Sequence, residues 1–263
     1  MAYFQKTFRP DIINGAVGNV IQADKTDLPF TAKDILFDWQ PIDVPFGTDS
    51  IVDGLVHMYG EDGGVQHSLD FHLIIAKTNN GAAPTSLGTV NLSPAAGSCY
   101  ELPDVMIGLM SFEGDATRAG MLEIGGHAGG IWHWNYPGDG GHGGRVVIEP
   151  EQNSLGGSTT NRIYVAGIAG GGHDFSTGVL SDGGETSDAA TSLTTKTVDP
   201  RKSFRVGDTV YIHDVNTAIG TIASMTSTNI TLNAAIAGGT DIADEDEFMN
   251  AQPITVTLGF KGR

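Results

Sequence analysis

Ser68-Leu-Asp-Phe-His-Leu-Ile-Ile-Ala-Lys77 indicates the fold class of this chain. Its apolar residues fall on every second position, which places four of them on one side of an extended chain: Leu69, Phe71, Leu73 and Ile75. The polar residues Asp70 and His72 fall on the opposite side. A repeat of two residues is typical of a β-strand with one buried face. The stretch therefore predicts a sheet that packs on one side against a core.

Short runs of similar character recur along the chain, separated by turn residues. The further predicted strands of this first part are Ala32–Trp39, Ile51–Tyr59, Thr89–Leu92, Met121–Ile124, Arg145–Glu149 and Arg162–Ile168. Glycine-dense loops occupy Gly125–Gly130 and Gly138–Gly144. The best helical candidate, Leu102–Leu109, is short and contains Pro103 and Gly108. Many short strands with glycine-rich turns predict an all-β protein whose main domain is a jelly roll or a β-sandwich.

The polar stretch Gly170–Thr197 is interpreted as a long loop or linker, and a compact unit of different composition follows it. Phe204–His213, Ala218–Met225 and Thr228–Asn233 are short strands that can curl into a small SH3-like β-barrel. The strand Pro253–Phe260 alternates cleanly and is predicted to return to the first sheet. The predicted organisation is an extended N-terminal arm (1–20), a main β domain (21–197), a barrel module inserted near the chain end (198–250) and a final strand (251–263).

The chain is strongly acidic, with 31 Asp and Glu against 14 Lys and Arg and a net charge of −17. This charge repels the phosphates of nucleic acids, so we expect no binding to DNA or RNA. We expect no membrane insertion either, because no stretch approaches the roughly 18 apolar residues that span a bilayer. The N-terminus has no signal-peptide core, and the single cysteine, Cys99, excludes an intrachain disulfide. Both features favour synthesis in a reducing cytoplasm.

Histidines and carboxylates raise the question of a metal site. His127, His133 and His142 share one glycine- and tryptophan-rich stretch, but their spacing fits no compact zinc signature, so polar loop histidines are favoured. Calcium suits an acidic chain better, and the candidate loops are Asp182–Asp188 and Asp241–Glu247. Neither loop has EF-hand spacing, and a solvated acidic turn is favoured for both. The sequence predicts no cofactor and no metal, with calcium at these loops as the weaker alternative.

No catalytic residue is predicted. Cys99 has no family signature around it, and Gly156-Gly-Ser-Thr-Thr160 lacks the closing glycine of a nucleophile elbow. Two carboxylates for glycoside hydrolysis can come from anywhere in a β fold, but no particular pair stands out. The sequence thus favours a protein that is not an enzyme, and a glycan hydrolase is the less favoured alternative.

The densest aromatic patch is Ile131–Tyr136, with Trp132, Trp134 and Tyr136. Three interpretations stay open: buried core at a sandwich edge, an anchor for another protein, or a platform that stacks on a sugar ring.

Three stretches resemble structural proteins of tailed bacteriophages, particularly virion proteins of large marine phages. They are the start Met1-Ala-Tyr-Phe-Gln-Lys6, the segment Lys33–Pro45, and Phe204-Arg-Val-Gly-Asp-Thr-Val-Tyr-Ile212 together with Ile219–Ile222 and Asp244–Asn250. The resemblance covers about a third of the chain and carries no catalytic residue. It implies a capsid decoration protein that is present in many copies, forms homo-oligomers (a trimer is favoured) and binds the major capsid protein or another virion protein. The alternative is a tail, fibre or baseplate protein that contacts a receptor or glycan.

The N-terminal segment suggests how such a protein could hold a neighbour. Tyr3, Phe4 and Phe8 precede any strand signal, so we expect an exposed arm that clamps an adjacent subunit and becomes ordered on binding. With Trp132, Trp134 and Tyr136, these residues are the predicted protein-binding positions.

Overall fold

The computed structural model describes residues 3–13, 29–58, 71–90, 92–94, 102–112, 121–123, 130–135, 146–148, 151–152, 160–183, 190–212, 217–236 and 241–262. Strands dominate this part of the chain, which confirms the all-β class. They are β1 (Tyr3–Phe8), β2 (Pro29–Phe30), β3 (Ile35–Pro45), β4 (Thr48–Met58), β5 (Phe71–Lys77), β6 (Met106–Phe112), β7 (Met121–Glu123), β8 (Gly130–Asn135), β9 (Val146–Val147), β10 (Glu151–Gln152), β11 (Thr160–Ala169), β12 (His173–Asp174), β13 (Leu180–Ser181), β14 (Ser192–Lys196), β15 (Thr209–Ile212), β16 (Thr217–Thr226), β17 (Asn229–Leu232), β18 (Phe248–Asn250) and β19 (Ile254–Gly262). Helical structure is limited, within these residues, to α1 (Leu102–Val105) and a 3-10 turn (Pro200–Lys202).

Two antiparallel sheets share the main core. The first sheet has the order β1-β19-β4-β8-β7, and β9 also pairs with β4. In the second sheet β11 lies between β3 and β5, β6 follows β5, and β10 pairs with the first residues of β11. Buried apolar residues of both sheets form one continuous cluster. This arrangement is a β-sandwich, and the jelly-roll alternative stays a prediction.

The stretch that predicted a half-buried strand behaves as expected. Phe71, Leu73 and Ile75 of β5 are buried, whereas His72 and Ile74 between them are partly exposed. Phe71 stacks on Phe112 of the neighbouring strand β6, with ring centroids 4.5 Å apart. The alternation that is visible in the sequence therefore fixes which face of the second sheet points into the sandwich.

A second, smaller core lies within a six-stranded sheet of order β13-β14-β17-β16-β15-β18. Hydrogen bonds bring the last strand of this order back towards the first. The N–H of Ser181 donates to the carbonyl of Asp246 (2.8 Å), and the N–H of Phe248 donates to the carbonyl of Val179 (2.9 Å). The sheet is thus a nearly closed barrel. Leu193, Val210, Ile222, Ile230 and Phe248 are among the residues that fill it.

The barrel begins earlier in the chain than the sequence suggests. The sequence predicts that the module starts at residue 198 after a linker, but Leu180–Ser181 and Ser192–Lys196 are strands of the barrel. In β14, Leu193 and Thr195 are buried, and they alternate with the exposed Ser192 and Thr194. A single apolar residue among serines and threonines gives too weak an alternation to reveal a strand.

The N-terminal segment also differs from the expectation of a separate arm. Tyr3–Phe8 pairs along its whole length with β19, from Tyr3 opposite Lys261 to Phe8 opposite Val256. β19 in turn lies between β1 and β4, so the chain returns to the first sheet after the barrel. Residues 3–8 of the predicted arm are therefore an edge strand of the sandwich, and their partners lie some 250 positions away in sequence.

Candidate binding surfaces and polar centres

One end of the sandwich presents three large apolar side chains to solvent. Tyr3, Lys261, Ser50 and Val147 form one row of cross-strand partners across the first sheet. Tyr3 is 56 % exposed and Val147 54 % exposed. Phe46, 51 % exposed, lies at the turn between β3 and β4, two residues before Thr48, which pairs with Gly262 beside this row. We call this surface, defined by Tyr3, Phe46 and Val147, the hairpin end.

Contacts with its neighbours hold the Tyr3 ring in place. The Tyr3 hydroxyl lies 3.4 Å from Oδ2 of Asp53, to which it donates, and it accepts a hydrogen bond from Nε2 of Gln5 at 3.0 Å. Between Tyr3 and Asp53 lies Gly259, where an added Cβ would come within 2.5 Å of the Tyr3 hydroxyl. Because Gly259 has no side chain, the aromatic ring of Tyr3 can lie across β19 at this position. The ring is therefore presented in a defined orientation.

The other aromatic residues predicted to bind a partner are placed differently. Phe4 stacks on Phe260 with centroids 5.0 Å apart, and Phe8 meets Phe37 edge-on at 6.2 Å. Both rings are partly buried against the main core, and their contact with a neighbouring subunit stays a prediction.

The aromatic patch is partly described. Trp132 and Trp134 lie on β8 opposite Val56 and Gly54, both of which are buried. Tyr136 lies outside the described residues, as do His127, His142 and Cys99, and His133 pairs with Leu55 of β4. The choice between core, protein anchor and sugar platform stays a prediction.

An apolar strip runs along the outward face of β5 and β6. Leu109 pairs with Ile74, and Met106 pairs with Ala76. Paired residues share one face of a sheet, and the alternating pair Leu73–Met110 is buried in the core, so Leu109 and Ile74 point outward. Met106 lies beyond a shift of register, and its partner Ala76 is buried. Leu109 is 50 % exposed and Met106 45 % exposed. Nδ1 of His72 and Oγ of Ser111 meet at 3.0 Å at one end of the strip.

A polar network joins the barrel to the sandwich. Arg9, which follows β1, forms an ion pair with the buried Asp208 of the barrel and donates to the carbonyl of Gln252 at 2.7 Å. Asp208 also accepts hydrogen bonds from the backbone N–H of Arg205 (2.9 Å) and from Nδ2 of Asn250 (2.7 Å). The guanidinium of Arg205 reaches the sandwich, where it donates to Nδ1 of His57 at 2.7 Å.

The two predicted calcium loops meet each other on the barrel. Oδ1 of Asp244 accepts the N–H of Gly183 (2.9 Å) and the ammonium of Lys196 (2.6 Å). The hydrogen bond from Lys196 holds the pKa of Asp244 below its ordinary value, and the same bond raises the pKa of Lys196. A lysine therefore supplies a positive charge between the loops. Residues 184–188 of the first loop lie outside the described part of the chain.

Other carboxylates of the second loop bind backbone groups. Oδ2 of Asp246 accepts the N–H of Ala243 (2.6 Å), and Oε1 of Glu247 accepts the N–H of Gly178 (2.7 Å). Within the described residues, no group of three or more His, Cys, Asp or Glu side chains is arranged to hold a metal ion. The same residues contain no helix with the length and apolar character to cross a membrane.

Three of these surfaces were missed by sequence reasoning: the exposed Phe46 and Val147, the strip along β6, and the Arg9–Asp208 pair. An aromatic residue directly before a turn glycine, Phe46-Gly47, is the one local signal that points to any of them.

Comparison with known proteins adds no relative, because no family model, no curated protein and no solved structure matches the chain.

Proposed function

We propose that the protein is a non-enzymatic virion structural protein that binds and stabilises a phage capsid as a decoration protein. After synthesis in the host cytoplasm it becomes part of the virion. The resemblance of Phe204–Ile212 and Asp244–Asn250 to virion proteins suggests this class of function. The hairpin end is the single structural observation on which we base the position of the proposed capsid contact.

Exposed aromatic side chains on a rigid frame are the usual anchors of protein interfaces. Tyr3 and Val147 lie three strands apart, which is about 14 Å at the normal spacing of a sheet. That separation fits within one standard interface, whose area is about 800 Å² per partner. The aromatic rings would supply apolar contact area, and the Tyr3 hydroxyl would keep its bond to Asp53 at the rim.

The arrangement of the two cores also suits a structural role. Arg9, Arg205 and Asn250 tie the barrel to the sandwich through Asp208 and His57. Such a network holds both parts in a fixed relation, so that many copies can present the same surface in the same orientation.

Binding to purified particles tests the proposal. The protein is mixed with isolated heads, and separately with isolated tails, of the phage that encodes it, and the bound protein is measured after sedimentation. We expect saturable binding to heads in many copies. Phe46→Ser should weaken this binding roughly tenfold or more, because an aromatic anchor is lost. Val206→Ser is the matched control, since Val206 is 63 % exposed but lies on the barrel.

The outcomes separate the candidate functions. Binding to neither particle would reject a virion role. Binding to tails in a few copies would replace the capsid proposal with the tail, fibre or baseplate alternative. Equal weakening by Phe46→Ser and Val206→Ser would reject the hairpin end as the docking surface.

A further inference from the structure

One contact between the barrel and the sandwich depends on the charge of a histidine. His57 of β4 and Thr255 of β19 are cross-strand partners in the first sheet. The guanidinium of Arg205, which precedes β15 of the barrel, reaches both of them. Its Nη2 lies 2.7 Å from Nδ1 of His57, and its Nη1 donates to Oγ1 of Thr255 at 3.3 Å. One side chain of the barrel thus binds two neighbouring strands of the sandwich.

The chemistry of the guanidinium fixes the protonation state of His57 in this contact. Arginine stays charged, and its nitrogens donate hydrogen bonds but accept none. Nδ1 of His57 must therefore carry the lone pair, so the imidazole is neutral and its proton lies on Nε2. Protonation of the ring puts a hydrogen on Nδ1, which leaves two donors and two positive charges facing each other. The hydrogen bond with Arg205 and the charged form of His57 therefore exclude each other.

The elements that meet at this contact carry further charged and titratable groups. On β4 itself, Asp53 accepts a hydrogen bond from a tyrosine hydroxyl of β1. On the barrel side, Asp208 forms its ion pair with Arg9. β8 places an isoleucine opposite His57 and places His133 two residues further along. His57 is the member of this set whose neutral ring accepts the guanidinium of the barrel.

A histidine of the second sheet has a partner of a different kind. Nδ1 of His72 meets Oγ of Ser111 at 3.0 Å. A serine hydroxyl can donate or accept, so it can turn a lone pair towards a charged imidazole and keep the hydrogen bond. A guanidinium cannot reverse its role in this way. Protonation therefore breaks the contact of His57 and leaves that of His72 intact.

Other contacts hold the junction together when this one is lost. Tyr211 of β15 and Met249 of β18 belong to the apolar cluster of the sandwich core. The N–H of Ile12 donates to the carbonyl of Ala251, which follows β18 (2.9 Å). Loss of the hydrogen bond to His57 therefore loosens one side of the junction and does not separate the two cores.

We propose that protonation of His57 releases Arg205 from the first sheet, so that mild acid loosens the contact between barrel and sandwich while both cores stay folded. Histidine is the side chain that ordinarily changes its charge between pH 5 and 8. The hydrogen bond needs the neutral ring, so it is present at pH 8 and is lost towards pH 5. This response to pH goes beyond capsid binding and does not depend on it.

Amide hydrogen exchange of the whole chain at pH 8 and pH 5 tests the proposal, with protection factors corrected for the intrinsic effect of pH on exchange. The N–H groups of Gly207 and Asp208 donate to the carbonyls of Ile222 and Arg205, so they report on the turn that carries the guanidinium. We expect their protection to fall roughly tenfold at pH 5, about the effect of losing one hydrogen bond to a charged group. The amides of Phe71–Lys77 should keep their protection.

Three variants identify the group that responds to acid. His57→Asn keeps an acceptor that does not titrate, so the high protection of the turn should persist at pH 5. Arg205→Met removes the donor and should give low protection at both pH values. His72→Asn is the matched control and should show the same fall as the wild type. Equal protection of the wild-type turn at pH 8 and pH 5 would overturn the proposal. So would a fall that persists in His57→Asn, or one that is equally large in Phe71–Lys77.

Discussion

Arg9, which follows the edge strand β1 of the sandwich, forms an ion pair with Asp208, which precedes β15 of the barrel. The Asp208 side chain has no exposed surface, whereas that of Arg9 is 25 % exposed. A buried carboxylate is tolerated when its oxygens are fully used, and Asp208 meets this condition with three donors. The pair therefore links the sandwich to the barrel through two residues that lie 199 positions apart in sequence.

Removal of this carboxylate should destabilise the protein strongly. Asp208→Ala leaves Arg9, the Arg205 N–H and the Asn250 amide without their acceptor. We expect the free energy of unfolding to fall by about 3 kcal/mol, the usual penalty for breaking a buried pair. Urea unfolding followed by tryptophan fluorescence measures the change. Arg201→Ala, which breaks the exposed pair with Asp199, should have little effect, and equal losses in both variants would contradict the prediction.

Acid should weaken the pair between Asp43 and Arg162 on the second sheet. Two hydrogen bonds from the guanidinium, at 2.8 and 3.0 Å, hold the pKa of Asp43 below its ordinary value. The folded state thus favours the charged form, and this stability is present above about pH 4 and is lost as the pH falls through the lowered pKa. Because Asp43 is partly exposed, the contribution should be about 0.5–1 kcal/mol.

The variant Asp43→Asn isolates this contribution. Its free energy of unfolding should lie below that of the wild type at pH 7, and the difference should vanish towards pH 2. Arg162→Gln, which removes the donor, should abolish the same pH dependence. A difference between wild type and Asp43→Asn that stays constant from pH 7 to pH 2 would show that the ion pair is not its source.

The parts of the fold that the sequence reveals are those with local alternation. β5 and the barrel strands β15, β16 and β17 carry apolar residues on one face, and each lies at or close to its predicted position. β6 is different, because it overlaps the helical candidate Leu102–Leu109, which Pro103 and Gly108 interrupt and of which only the first four residues are helical. The chain leaves α1 at Val105 and continues as a strand, since the apolar pairs with β5 outweigh one short turn.

Long-range pairing explains most of what the sequence leaves hidden. β1 has a largely exposed pattern because it is an edge strand, so it shows no alternation, and its partner β19 lies at the other end of the chain. The Arg9–Asp208 pair has the same origin, as does the presentation of Tyr3 over Gly259. No window of sequence contains both members of these contacts.

Thr197 adopts a backbone conformation that a β-branched residue rarely takes. Its φ is +74°, and the N–H of Val198 donates to the carbonyl of Lys196 at 2.9 Å, which closes a γ-turn around Thr197. Thr197→Gly should raise the free energy of unfolding by about 1 kcal/mol, because the relief of strain exceeds the entropy cost of glycine. Thermal unfolding measures the shift. Thr228→Gly, in a turn without positive φ, should not stabilise the protein, and a gain at both sites would refute the strain argument.

Gly167 shows how closely the second sheet packs on the core. A Cβ at this position would overlap the ring of Phe37, and β11 shifts its register against β3 on both sides of Gly167. Gly167→Ala should therefore lower the free energy of unfolding by about 1–3 kcal/mol, the usual range for overpacking. Gly172→Ala is the control, since its Cβ would meet the carbonyl of Phe30 at an ordinary 3.7 Å. If the clash with the ring is the cause, adding Phe37→Leu to Gly167→Ala should cost less than the sum of the two single changes; simple additivity in urea unfolding would point to the backbone instead.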